Sequence, residues 1–157
     1  MNLDSNVIEQ LVRKIIEEKL NEAKGGSAHD FVCDRDISGI TSVKLNTVKV
    51  DESNRLDTGN PNDVVYTKDL FTLEESPRLG CGIMEMKETT FDWTLNYDEI
   101  DYVIEGHLDI IIDGRKVSAD AGELILIPKG SKIQFSVPNS ARFIYVTYPA
   151  DWASQND

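Results

Sequence analysis

Histidine is scarce in this chain: His29 and His107 are the only two in 157 residues. Cysteine is equally rare, and Cys33 and Cys81 form no CxxC pair. Two distant cysteines read as buried thiols of a reducing cytoplasm rather than as a disulfide framework. No apolar run approaches the ~18 residues that span a membrane. The N-terminus is charged and amphipathic, which excludes a secretory signal. Positive charge is in deficit, with 16 basic against 28 acidic residues and a net charge of −12. A field of that sign repels nucleic acid and anionic membranes, so neither is expected as a partner. Solubility alone is a sufficient reason for the charge. There is no GxxxxGK[ST] phosphate loop, no internal repeat and no low-complexity tract.

What is present divides in two. In residues 1–24, Leu3, Val7, Ile8, Leu11, Val12, Ile15, Ile16 and Leu20 recur at three- and four-residue steps. That spacing predicts an amphipathic helix over 3–20, with Asp4 or Ser5 as its cap. The face formed by Val7, Ile8, Leu11, Val12, Ile15 and Ile16 needs an apolar partner, which is this domain, a second copy or another protein. Residues 25–30, starting at Gly25-Gly26, end the helix and make a linker. From residue 31 the segments are short, β-branched and closely spaced, and Asp113-Gly114 marks a two-residue hairpin. The predicted fold class is all-β, a sandwich or barrel, with one N-terminal helix.

Two spacings sharpen this. Glu99 precedes Gly106 by seven positions, and Gly122, Pro128 and Gly130 stand in "GELILIPKGSKI". Residues 31–152 thereby resemble a cupin, a small antiparallel jelly-roll barrel, with 153–157 as a tail. The histidine positions of the cupin motifs fall instead on Trp93, Leu95 and Ile133. One surviving carboxylate, Glu99, cannot alone hold zinc, iron or manganese, so no transition-metal centre is expected. His29 lies in the linker, and His107 reads as a surface or turn histidine.

Strand alternation places Glu99 and Asp101 on one face, with Ile100 and Tyr102 on the other. Residues 88–109 hold seven acidic side chains and no Lys or Arg. Two buried carboxyls without a cation raise each other's pKa. They are wet, share a proton or bind a cation, or else Glu99 sits at a solvated barrel mouth while Asp101 bonds to backbone or Tyr97. Trp93 reads first as core filling. Tyr97, between Asn96 and Asp98, is expected to be partly exposed.

The unbroken string "WTLNYDEID", followed by "IPKGSKIQF" and "RFIYVTYPADW", resembles the EutQ family of ethanolamine-utilisation cupins. That resemblance implies a bacterial microcompartment setting in the cytoplasm and acetate kinase activity. No tightly bound cofactor is implied beyond Mg-ATP, and a homodimer is expected, as in cupins commonly. Glu99 and Asp101 become candidate catalytic, magnesium-facing carboxylates. Trp93, Leu95, Asn96, Tyr97, Tyr102 and Lys129 become the candidate ligand pocket. Residues 1–24 are similar to encapsulation peptides that meet shell or cargo proteins. The alternative function is a non-enzymatic scaffold or cargo protein with a plugged or metabolite-binding barrel.

Overall fold

The structure is a computed structural model that describes residues 11–16 and 29–155. Two compact units divide at Lys49/Val50. In the first, residues 11–16 are helical, and Leu11, Val12, Ile15 and Ile16 each keep about half of their surface exposed. The rest of the expected helix, with Val7 and Ile8, lies outside the described residues, as do positions 25–28 of the linker. The same unit carries a ribbon of β1 (Cys33–Arg35) and β2 (Thr41–Val43), paired antiparallel with Arg35 opposite Thr41. His29 stacks on Phe31 at 4.6 Å between ring centroids. β1 and β2 form a two-stranded sheet of their own.

The second unit holds β3 (Val64–Asp69), β4 (Gly80–Thr94), β5 (Asp98–Ile112), β6 (Arg115–Asp120), β7 (Leu124–Ile127) and β8 (Lys132–Tyr148). They form one antiparallel sheet in the order β3-β4-β8-β5-β6, with β7 also pairing with β5. The all-β expectation is met. So is the Asp113-Gly114 hairpin: both residues have positive φ, 49° and 74°, and join Ile112 to its partner Arg115. Positive φ at both central residues gives a turn whose twist matches that of the strands it joins.

Two pairs of segments that read as separate strands are continuous. "EIDYVIEG" and "HLDIII" are both β5, and "SKIQFSV" and "ARFIYVTY" are both β8. Polar and glycine-bearing residues between them suggest turns, but the backbone makes bulges instead. Register shifts lie between Lys87 and Thr89 on β4 and around Val103–Asp109 on β5. Each bulge changes which residues point inward: Val103 before it and Leu108 and Ile110 after it on β5, Met84 and Met86 before it and Phe91 after it on β4. A bulge bends its strand and steepens the twist, which lets a short sheet curl around a core. That core contains Met86, Val103, Leu108, Phe135, Val137 and Phe143.

Gly106 is the hinge of the β5 bulge. Its φ is +81°, and a Cβ there would overlap the Ser140 carbonyl on β8. Gly106→Ala therefore combines a left-handed backbone with a backbone clash. We expect it to destabilise the barrel by about 2–4 kcal/mol, read as a lowered urea midpoint with an unchanged slope.

Candidate functional site

Strand pairing decides what surrounds the two inner carboxyls of β5. Glu99 stands between Ile127 of β7 and Thr147 of β8, and Asp101 between Ile125 and Tyr145. Directly opposed residues share a face, so all six side chains look into the barrel. All six are buried; Glu99 is 4% exposed and Asp101 0%. Gly82 of β4 makes this crowding possible, because a Cβ there would occupy the Tyr145 ring.

Written as two carboxylates, the pair is unsatisfied. Glu99 Oε1 and both Asp101 oxygens have no donor among the described residues, and neither has Thr147 Oγ1 a partner. The two carboxyls are close enough to hydrogen-bond to each other, which requires a proton on one of them. Burial pushes Glu99 up to about 7, while the hydrogen bond from Asp101 pulls the other way. Burial, the Glu99 charge and that hydrogen bond hold Asp101 well above the usual carboxylate range. Both shifts favour the protonated form, so the pair resists ionising together. A solvated mouth, or an Asp101 bonded to backbone or Tyr97, is not what the structure has.

Above Glu99 lies a narrow, aromatic-walled pocket whose enclosed space is about that of one water molecule. Its walls are Phe91, Trp93, Tyr97, Phe135, Tyr145 and Trp152, with Leu56, Thr67 and Met84 completing the lining. Trp93 Nε1–H donates to the Tyr97 hydroxyl at 2.8 Å. The Trp152 ring lies 6.4, 5.7 and 6.3 Å from Trp93, Tyr97 and Tyr145. The Tyr145 hydroxyl donates to Asp69 Oδ1 at 2.6 Å. Burial, then the Glu99 charge, raises Tyr97 far above an ordinary phenol. Burial, then Asp69, does the same to Tyr145. Both phenols stay protonated at any physiological pH.

Among the sequence-derived candidates, Trp93, Tyr97 and Glu99 line this pocket, and Asp101 sits buried against Glu99. The others are elsewhere. Leu95 is fully buried in the core, and Asn96 is half-buried in the β4–β5 turn. Tyr102 is 42% exposed on the outer face, because the same alternation that turns Asp101 inward turns Tyr102 outward. Lys129 is exposed at the corner before β8, where its backbone N–H donates to Asp98 Oδ1 at 2.9 Å. Tyr97, expected to be partly exposed, is 3% exposed, because its ring turns under Trp152 while polar Asp98 faces out. Trp93 lies directly opposite Ile133, so two histidine positions of the cupin motifs hold a facing apolar pair.

Outside the pocket, His107 bridges two carboxylates, with Nδ1 2.7 Å from Asp120 and Nε2 3.0 Å from Asp109. Those bonds, Asp120 first, raise its pKa. Cys33 and Cys81 are thiols, half-buried rather than buried. Burial, then Asp69, pushes Cys81 up to about 11, which leaves it a poor nucleophile. Among the described residues, no three His, Cys, Asp or Glu side chains are grouped to hold a metal ion. No helix among them is long and apolar enough to cross a membrane.

A curled antiparallel sheet with its site on the inner face of β5 and a Pro128-x-Gly130 corner is a cupin barrel. The fold matches the Schizosaccharomyces pombe Cnp3 cupin domain with a TM-score of 0.57, over 81% of this chain and 93% of that one at 11% identity. The particular family follows from closer relatives: the chain belongs to the EutQ family, described as ethanolamine utilisation protein EutQ, which it matches over residues 3–154. It is 81% identical to "Acetate kinase EutQ" of Clostridioides difficile, over 99% of this chain and 98% of that protein. It is 37% identical to the protein of the same name from Salmonella typhimurium, over 95% of this chain but 63% of that longer one. The solved structure of the Clostridium difficile EutQ protein superposes with a TM-score of 0.81 at 86% identity, covering 82% of this chain and 94% of that one.

The carboxyl pair has a signature in stability. Both groups bind protons more tightly folded than unfolded. Stability from the proton on Glu99 is therefore present in acid and is lost as pH rises from about 4.5 to about 7. Glu99→Gln keeps the shape, removes the charge and can accept from protonated Asp101. We expect it to stabilise the fold at pH 8 by about 1–3 kcal/mol, the cost of an unsatisfied buried group, and to change little at pH 5. Urea unfolding at the two pH values reads the difference.

Proposed function

We propose that the chain is an acetate kinase that transfers a phosphoryl group between Mg-ATP and acetate at the mouth of this pocket. The observation that carries the reading is the buried Glu99 carboxyl, whose Oε1 lacks a protein donor, at the wall of an aromatic pocket with Asp101 buried beside it. The Clostridioides difficile relative that bears the acetate kinase name has almost the same length, so the reading needs no segment beyond this chain.

Acetate is already ionised at neutral pH, so no base is required. One carboxylate oxygen attacks the γ-phosphorus with its own lone pair. The bond from that phosphorus to the β-bridging oxygen breaks, and ADP leaves with the electron pair. What the reaction needs is alignment, positive charge and exclusion of water. The pocket walls contain no Lys, Arg or His, so positive charge must arrive with the nucleotide. Glu99, Asp101 and the Thr147 hydroxyl form an oxygen-only set, the type that suits a hard cation and not a soft metal. Glu99 and Asp101 are the residues that would hold a magnesium ion, which would supply charge to offset that of the transferring phosphoryl group. The Tyr97 hydroxyl, fixed by the Trp93 N–H, orients the acetate. Phe91, Trp93 and Trp152 keep water, the competing acceptor, out. The pocket is too small for a nucleotide, so ATP is placed outside it, with its terminal phosphate at the mouth.

A second reading is favoured by the helical residues 11–16. Their apolar side chains Leu11, Val12, Ile15 and Ile16 are half-exposed, which suits docking on a shell or cargo protein of a bacterial microcompartment. The two readings separate cleanly. As a kinase, the chain turns over only with Mg²⁺, and Glu99→Gln lowers kcat by ~100-fold or more in a folded protein. Deleting residues 1–24 leaves turnover intact and abolishes co-sedimentation with microcompartments. A chain without turnover above a mock preparation, whose localisation still depends on residues 1–24, is a scaffold.

A further inference from the structure

The pocket above Glu99 is closed in this structure, and one of its walls is fastened differently from the rest. Phe91 and Trp93 stand on β4, Glu99 on β5, and Phe135 and Tyr145 on β8, each in a paired stretch of strand. Leu56 and Tyr97 lie outside the strands but are pinned. The Leu56 N–H donates to the Val65 carbonyl at 2.9 Å, and the Tyr97 hydroxyl accepts from Trp93 at 2.8 Å. Trp152 belongs to the short 3-10 turn Trp152–Ser154, after β8 has ended at Tyr148. Its half-buried indole meets the walls through rings, 6.4 Å from Trp93, 5.7 Å from Tyr97 and 6.3 Å from Tyr145. We propose that Trp152 is a lid, seated on the pocket in this structure, and that its swing about Ala150–Asp151 admits small solutes to Glu99. The proposal goes beyond the kinase reading and does not depend on it.

A change in burial marks the hinge. Ala150 is 7% exposed, with its carbonyl oxygen 3.1 Å from where a Cβ on Gly80 would stand, and Asp151 is exposed. Beyond the hinge the turn bonds to itself. The Gln155 N–H donates to the Trp152 carbonyl at 3.2 Å. The Gln155 side chain and the Ser154 hydroxyl donate to the Asp151 carbonyl at 3.1 and 3.2 Å. Those bonds travel with the turn, so a rotation at its base breaks ring contacts without breaking a rung of the sheet. With Trp152 seated, the pocket encloses about one water molecule. An indole is the bulkiest of the side chains, so its departure vacates more space than a small organic solute fills. It also uncovers Tyr97 and Tyr145, which are 3% and 2% exposed beneath it. Ring contacts are individually weak, so an open state populated at roughly 1% is the scale expected of such a lid. Lids of this kind open on microsecond to millisecond timescales.

The test is fluorine NMR of the full chain labelled with 5-fluorotryptophan. Trp93 and Trp152 are its two tryptophans, so two signals are expected, assigned with Trp93→Phe and Trp152→Phe. We expect relaxation dispersion or saturation transfer to show both signals exchanging with one shared rate constant, the minor Trp152 signal lying at the shift of a solvent-exposed indole. A Trp152 signal without exchange from microseconds to seconds, or one already at the exposed shift, overturns the proposal. So does exchange at Trp152 that leaves Trp93 unmoved. Acrylamide, a small neutral quencher, then reads access to the pocket. Trp93 is the remaining tryptophan in both Trp152→Ala and Trp152→Phe, and we expect its fluorescence to be quenched several-fold more strongly in the alanine variant. Equal quenching overturns the proposal. The fluorine measurement keeps every residue in place, so it decides even where the alanine variant does not fold. No turnover is read, so the fate of the kinase reading is separate.

Discussion

Glu99 and Asp101 meet inside an apolar barrel with no cation beside them, and the rest of the site follows from that contact. Two buried neighbouring carboxyls resist ionising together, so both are held above the usual carboxylate range. The arrangement is neutral enough to fold, yet it keeps oxygen atoms unsatisfied at a pocket wall. The histidine positions around it have become Trp93, Leu95 and Ile133, which coordinate nothing and fill space. Of the cupin ligand positions only Glu99 bears a ligand-type side chain, and Asp101 stands two residues on, on the same face of the same strand.

The barrel holds this pair in place through strand length and bulges. β4, β5 and β8 run 15, 15 and 17 residues, and each contributes inner-face residues on both sides of a bend or irregularity. Bending at Gly106 sends the upper part of β5 to the Glu99 site and the lower part, with Leu108 and Ile110, into the core. Thr147 and Tyr145 arrive opposite the pair only because β8 keeps register with β5 from Asp98 to Val103. Trp152, from the 3-10 turn that follows β8, then closes the aromatic ring over Glu99.

Much of this was legible in the sequence, for physical reasons. Period-two alternation is a local property, so the sequence puts Glu99 and Asp101 on one shared face, and the structure buries both; Asp113-Gly114 is legible because its backbone requirement is local as well. Tyr102 was assigned to the pocket against that same alternation, and the structure puts it outside. Thr147, Tyr145 and Phe135 were missed because their meeting with β5 and β4 depends on register, which no local pattern fixes. Trp152 was missed as a pocket wall because it sits at the end of the barrel segment, and "YPADW" reads as a chain leaving the sheet. Tyr97 shows the limit of flanking polarity as a guide: Asn96 and Asp98 belong to the turn, while the ring goes under Trp152. The bend at Gly106 was read as a strand end, since a bulge and a turn share the same residues.

The central claim is that Glu99 and Asp101 share one proton inside the barrel. The most direct measurement is carbon NMR of the protein labelled at its Asp and Glu side-chain carboxyls, followed from pH 5 to pH 9, with Glu99→Gln and Asp101→Asn assigning the two signals. The account predicts that both carboxyl carbons keep protonated or proton-shared shifts at pH 5. One then titrates near neutral pH, and the other remains protonated well beyond it. Two carboxyl carbons already at fully ionised shifts at pH 5 would contradict it. The pair would then be solvated or neutralised by a charge that this barrel does not hold, and the site would have to be understood without the shared proton.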